Sequence, residues 1–310
     1  MFDRLRTEAE ADAARKLEGI YHKGQQKAWD GRATLDELLA RHGPITLPRE
    51  KRDAIHGLFA VILWGELAAW KVSADLALQL EPLEAKMAAT SQAHDEARHF
   101  YVMHRYLSAL GEAPRNVGPR TTRVLLGALY ARSLAKKVVG MQMMIEPMAL
   151  ALFQLLRESR VEPVLSDLLE LYERDEARHV ALGVLHLPRL LRSMTMAETV
   201  DLYAWEFREY WRQLAMMHEL EPYFDALDID MRRVLEIGRT KQLRAISMLQ
   251  DELGTPMPVL EAFVRFFDAK VEIEFPTDAE GPFTTRMRNV LLAAQRGAMS
   301  ATWISRPSTP

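Results

Sequence analysis

The pentapeptide Asp-Glu-Ala-Arg-His occurs twice in this chain, at residues 95–99 and again at 175–179. Each copy sets a Glu and a His three positions apart. On a helix both side chains leave one face and can grip one metal ion. An apolar helical stretch ahead of each copy contains a single Glu, Glu66 and Glu146, and these share the 80-residue separation of the pentapeptides. Six candidate ligands therefore form two equivalent sets: Glu66, Glu96 and His99, then Glu146, Glu176 and His179. Four Glu and two His from four helices make the ligand set of a carboxylate-bridged two-metal site in a helix bundle.

The spacing predicts how the helices are joined. Glu66 and Glu96 lie 30 residues apart, and the midpoint, Glu81, precedes Pro82. Glu146 and Glu176 are also 30 apart, and their midpoint, Val161, lies two residues before Pro163. If each Pro marks a turn, both arms of each hairpin run about 15 residues, roughly 22 Å at the helical rise. Equal antiparallel arms bring both Glu residues of a hairpin to one height. Long helices are predicted over 49–80, 83–110, 121–157 and 164–194, with a loop over 111–119 between the halves. Thr195 and Glu198 form a capping box for a further helix, and shorter helices are expected over 231–253, 258–273 and 285–296. Residues 275–283 read as a loop, and the last five as a frayed end.

Strand-like alternation is absent, and Ala, Leu, Met, Glu and Arg dominate the long segments. The fold class is therefore all-α: an antiparallel four-helix bundle with additional N- and C-terminal helices. We read residues 1–310 as one domain, with a bundle core over about 49–194 and flanking helices over 1–48 and 195–310. The flanking segments are rich in aromatics, among them Trp205, Phe207, Tyr210 and Trp211, expected to pack on the bundle or at a subunit interface.

Composition excludes several function classes. There is no Cys, hence no disulfide, thiolate site, iron–sulfur cluster or cysteine nucleophile. Net charge is −3, and no basic tract suggests nucleic acid. The N-terminal stretch mixes acids and bases and lacks an apolar run, unlike a secretory signal. The most apolar stretch, 58–70, is short for a membrane span and contains Glu66. These features lead us to expect a cytoplasmic protein with no membrane association.

Burying four carboxylates together is costly unless cations or protons compensate. Two divalent ions carry a charge equal and opposite to that of the four Glu. Hard oxygen donors with one nitrogen per ion suit iron or manganese better than copper or structural zinc. Glu96 and Glu176 are expected to bridge, with Glu66 and Glu146 terminal. Asp95 and Asp175 are placed to accept the free imidazole N–H of His179 and His99 respectively, and Arg98 and Arg178 to pair with these aspartates.

With these residues in place, the sequence resembles the ferritin-like di-iron carboxylate superfamily. That group includes monooxygenase hydroxylases, acyl-carrier-protein desaturases, ribonucleotide reductase small subunits, aminobenzoate N-oxygenases and rubrerythrins. The resemblance covers about residues 49–194, and the Asp-Glu-x-Arg-His form is most like the monooxygenase and desaturase branches. Departures narrow the reading. Met103 stands where reductase small subunits carry a radical tyrosine. Residues 147–153 lack the Thr common in monooxygenases and desaturases. Tyr172 stands where aminobenzoate N-oxygenases have a third histidine, and the lack of Cys rules out a rubrerythrin iron module.

The resemblance implies an enzyme: a di-iron oxygenase or oxidase with two Fe ions, or a Mn/Fe pair. It would activate dioxygen to oxidise a small apolar or aromatic molecule by hydroxylation, N-oxygenation or desaturation. Apolar residues near the ligands, such as Ile62, Ala69, Ala149 and Phe153, fit such a substrate. No flavin or iron–sulfur motif is present, so a separate electron-donor protein is expected, and a homodimer is one arrangement the extra helices would serve. Basic residues Arg120, Arg123, Arg132, Lys136 and Lys137 could face an acidic donor or simply solvent. The alternative is a ferritin-like metal-binding protein that handles iron or scavenges peroxide without oxygenase turnover. Tyr172 and His218 are the further residues to look for near the site.

Overall fold

The structure is a computed structural model describing residues 7–111 and 113–296. All its regular elements among these residues are helical. The chain divides into two compact units, one ending at Glu252 and the other starting at Leu253. The first contains α1 (Glu8–Lys27), α2 (Gly31–His42), α3 (Arg49–Gln79), α4 (Leu83–Ala109), α5 (Pro119–Leu129) and α6 (Leu134–Val138). A π-helical segment (Val139–Ile145) then leads into α7 (Glu146–Ser159), followed by α8 (Pro163–Arg192), α9 (Met196–Ala226) and α10 (Met231–Leu253).

Two hairpins form the bundle, as the spacing predicts. α3 and α4 pack along one another, as do α7 and α8, and α4 packs on α8. The first turn holds Leu80, Glu81 and Pro82. The second holds Arg160, in the left-handed conformation that ends α7, and Glu162. Glu162 caps α8 by accepting from the Val164 and Leu165 N–H groups, and it also accepts from the buried Tyr106 hydroxyl. That carboxylate ties the second turn to α4. α1 and α2 lie against α4 and α8, and α9 against α3 and α5.

The region 121–157 departs from the single helix expected there. α5 stops at Leu129, and Ser133 opens α6 by accepting from the Lys136 N–H. The chain then widens into the π-helix, where the Glu146 N–H bonds five residues back to the Met141 carbonyl. The cause lies in Pro147. It has no N–H to give and cannot sit inside an α-helix without a clash. The wide turn ahead of it makes Pro147 a first-turn residue of α7, where the missing donor costs nothing. π-helical turns of this sort concentrate at functional sites.

Close packing holds this segment. A Cβ on Gly183 of α8 would lie 2.5 Å from Gln142 Cβ, so only Gly lets the two backbones approach. Trp205 of α9 fills the other side, against Gly140. The capping box at Thr195 and Glu198 is formed in both directions. By length and composition, Arg49–Gln79 and Leu134–Ser159 could cross a membrane, but 67% and 78% of their apolar windows are buried inside the bundle. They are core helices here, and the first extends well beyond the apolar stretch 58–70.

The second unit is a helical hairpin of α11 (Pro258–Glu274) and α12 (Phe283–Gln295). Glu272 holds its turn by accepting from the Thr277 N–H and hydroxyl. The expected frayed end lies outside the described residues.

Candidate metal centre

All six predicted ligands converge in the middle of the bundle. They are buried, with Glu66, the most exposed, at only 5%. Their donor atoms form two overlapping quartets: Glu66, Glu96, His99 and Glu176, then Glu96, Glu146, Glu176 and His179. Within each quartet the donor atoms lie within 4.8 Å of one another. The shared members are the two pentapeptide glutamates.

The pairing of individual atoms is regular. Glu96 turns Oε2 toward His99 Nδ1, at 3.6 Å, and Oε1 toward His179 Nδ1, at 3.0 Å. Glu176 likewise turns Oε1 toward His99, at 3.2 Å, and Oε2 toward His179, at 2.7 Å. Each pentapeptide glutamate thus offers one oxygen to each half. Glu66 approaches only His99, at 3.4 Å, and Glu146 only His179, at 4.0 Å.

Behind the ligands, the predicted aspartates and arginines close a buried ring. Arg98 Nη2 donates to Asp95 at 2.5 Å and to Asp175 at 2.8 Å. Arg178 Nη2 lies 2.8 Å from Asp95 and 2.9 Å from Asp175. Alternating charges in this ring satisfy one another where water is excluded. Each aspartate also faces the histidine of the opposite pentapeptide: Asp175 lies 3.3 Å from His99 Nε2 and Asp95 3.4 Å from His179 Nε2. An aspartate accepting at Nε2 leaves Nδ1 as the lone-pair nitrogen, directed at the carboxylates.

Protonation follows from this geometry. Burial, reinforced by the charges of Glu176 and Glu96, holds the Glu66 and Glu146 carboxyls well above the usual range; the His99 ring offsets this for Glu66 only in part. Burial pushes Glu96 and Glu176 the same way, but the histidines override it and both end low. Burial would lower both histidines, yet the surrounding carboxylates hold them well above their ordinary value. Protons thus occupy the positions that cations would take.

A metal pair fits this donor set. Glu96 Oε2 and His99 Nδ1 are buried and have no hydrogen-bond partner, although each has other donors of its quartet close by. Unsatisfied buried polar atoms are expensive, and an ion among them would satisfy both. Two glutamines add hydrogen bonds. Gln92 Nε2 donates to Glu96 and Glu146, each at 3.1 Å, and Gln92 Oε1 accepts from Gln142 Nε2.

Sequence reasoning singles out neither these glutamines nor Trp29. Gln142 was detectable as a lone polar residue in a run of apolar ones, one turn before Glu146. Trp29 carries no local signal. Its Nε1 donates to Asp175 at 2.8 Å and its ring lies under the Arg98 guanidinium, contacts that exist only because the start of the chain packs on α4 and α8. Tyr172 does reach the site: its ring stacks on His99, with centroids 4.1 Å apart, and its hydroxyl donates to the His99 carbonyl. His218 does not; it lies at the surface beside Glu221. Of the basic residues, Lys136 and Lys137 pair with Asp201 and Asp75, and Arg120 donates to the Ala215 carbonyl.

A cavity of about 90 Å³ is lined by Glu66 and Glu146. Its walls come from α3, α5, the π-helical segment, α7, α9 and α10 and are nearly all apolar, with Ile62 and Ala69 on the helix of Glu66 and Met148 and Leu152 on that of Glu146.

No family model matches the sequence, and no curated protein matches it. Solved structures do. A variant of an R2-like ligand-binding oxidase with an aerobically reconstituted Fe/Fe cofactor is 18% identical, with a TM-score of 0.57 over 76% of this chain and 93% of that one. A second variant of the oxidase, with a Mn/Fe cofactor, is 19% identical, with a TM-score of 0.55 over 77% and 92%. Dimanganese(II)-NrdF of Streptococcus sanguinis is 12% identical, with a TM-score of 0.61 over 82% and 91%. At these identities the likeness is one of fold: the chain is a ferritin-like helical bundle of the kind these proteins share.

Proposed function

We propose that this protein is a non-haem dimetal oxidoreductase that uses dioxygen to oxidise a small, largely apolar or aromatic molecule. Glu66, Glu96, His99, Glu146, Glu176 and His179 would hold two iron ions, or a manganese and an iron. The observation that carries this reading is the disposition of Glu96 and Glu176, each offering one oxygen to each histidine, beside an apolar cavity that reaches Glu66 and Glu146. The fold shared with proteins whose structures contain Fe/Fe, Mn/Fe or dimanganese centres adds support.

When bound, the metal pair supplies the electrons that activate dioxygen. The chain's own residues set the conditions. Glu66 and Glu146 give up their protons as cations enter, which keeps the centre near neutrality. Asp95 and Asp175 hold the two rings so that Nδ1 faces inward. The Asp–Arg ring seals one side against water, and the cavity walls exclude water on the other while admitting an apolar molecule. Because the chain has no Cys and no flavin motif, electrons for repeated turnover come from a separate donor protein or from the substrate.

Anaerobic titration with Fe(II), followed by addition of dioxygen, tests the reading. Uptake saturating at two ions per chain, with oxygen consumption that stops at that stoichiometry, supports it. Iron uptake continuing well beyond two ions would instead indicate an iron-handling protein.

A further inference from the structure

Among the residues lining the cavity, Gln213 of α9 is the one polar side chain besides Glu66 and Glu146. It is 4% exposed. Its Nε2 donates to the Met144 carbonyl at 3.2 Å, and its Oε1 accepts from Gln242 Nε2 at 3.3 Å. Gln242 Nε2 also lies 3.4 Å from the Met144 carbonyl. These contacts fix the carboxamide at the π-helical segment, two residues from Glu146. A carboxamide nitrogen carries two N–H groups, and the second has no partner among the described residues.

We infer that this N–H selects the substrate: a neutral molecule, apolar over most of its surface, with one hydrogen-bond acceptor held by Gln213 near the metal end of the cavity. The inference rests on the proposed function for the site it serves, though ligand binding can be read without turnover. Two physical arguments support it. An apolar ligand that fills the cavity displaces water and leaves the N–H buried without a partner, which is costly, whereas a ligand with an acceptor restores the bond. No Lys, Arg or His lines the walls, so an ionised ligand would lose hydration with no side chain of opposite charge among them to compensate. Gln213 is thus a specificity-determining residue, and Gln242 holds its carboxamide in place.

The test compares acetophenone with its isosteric hydrocarbon α-methylstyrene on metal-loaded full-length protein, and benzoate with acetophenone on the metal-free protein, where no ion can take the carboxylate; binding is followed by calorimetry. Taking the ketone-to-hydrocarbon affinity ratio in wild type relative to Gln213→Leu cancels the difference in transfer from water. That relative ratio should be about tenfold, and the hydrocarbon should bind the variant at least as well as wild type. Gln242→Leu, which loosens the clamp but keeps the Gln213 N–H, should retain most of the ketone preference. Benzoate should bind more weakly than acetophenone. Equal ketone preference in wild type and Gln213→Leu, equal loss in both variants, tighter binding of benzoate, or binding of neither neutral probe would overturn the inference. Metal stoichiometry and oxygen uptake, measured on the same samples, separate the two failures. Normal values without a ketone preference remove the substrate class alone. Abnormal values with a ketone preference remove the proposed function while leaving the ligand recognition intact.

Discussion

The two halves of the centre carry the same pentapeptide in different surroundings. In the half around His99, the ring is stacked on Tyr172, and its aspartate, Asp175, is also held by Trp29. Glu66 sits in the uninterrupted helix α3. In the half around His179, Glu146 follows a π-helical turn and accepts from Gln92, and among the described residues no tryptophan donates to Asp95. The duplicated residues set which atoms would face a metal pair; the unduplicated neighbours set how firmly those atoms are held. Two ions in this centre would therefore be inequivalent, the one beside His99 more rigidly supported and the one beside His179 nearer to a turn that can adjust.

Mutations that break the sharing between halves should have the largest effect. Glu176→Ala removes a donor from both quartets, so binding of the metal pair should be abolished while helical content by circular dichroism stays largely intact; a variant that still binds two ions would sink the shared-ligand reading. Glu66→Ala and Glu146→Ala each touch one quartet. Elemental analysis should then find about one ion per chain in each case, on opposite sides of the centre.

Smaller effects should reveal the asymmetry. Asp175→Asn should weaken metal affinity by about 10–100-fold, the range for partners of ligating histidines. Trp29→Phe, which removes one of several donors to Asp175, should cost less than that, and only for the ion beside His99. If Trp29→Phe weakened both ions equally in a competition titration, the two halves would not be separately tuned.

The smallest effect on the metals should come from Glu206 of α9, a helix that packs on the π-helical segment. Burial pushes its carboxyl up to about 8, against about 4.3 in an unfolded chain. Between those values the folded state binds a proton that the unfolded state does not. Its contribution is therefore fully present below about pH 4.3 and is lost as pH rises toward 8, by at most about 1.4 kcal/mol per pH unit. Urea midpoints of the metal-free protein should decline across that window, and Glu206→Gln should flatten the decline without changing metal stoichiometry.

Much of the geometry of the six-residue cluster was legible in the sequence because duplication exposes it. Two matched intervals and two prolines were enough to place Glu66, Glu96, Glu146 and Glu176 at one height, and the aspartates and arginines came with the pentapeptide. The break in the third helix was not legible. Pro147 signals a disturbance, but an α-helical kink and a π-turn satisfy the same residue, and the close approach of Gly183 of α8 and Trp205 of α9 to this segment leaves no mark in its own sequence. Trp29 and Gln213 were hidden for a similar reason: neither is periodic or repeated, and each acquires its role only when a distant helix docks.

The most direct test of the central claim is an anomalous-scattering map at the iron edge from crystals of Fe(II)-loaded protein. Two peaks are expected between α3, α4, α7 and α8, each contacted by Glu96 and Glu176, one joined by Glu66 and His99 and the other by Glu146 and His179. A single peak, or iron bound away from the two pentapeptides, would contradict the account.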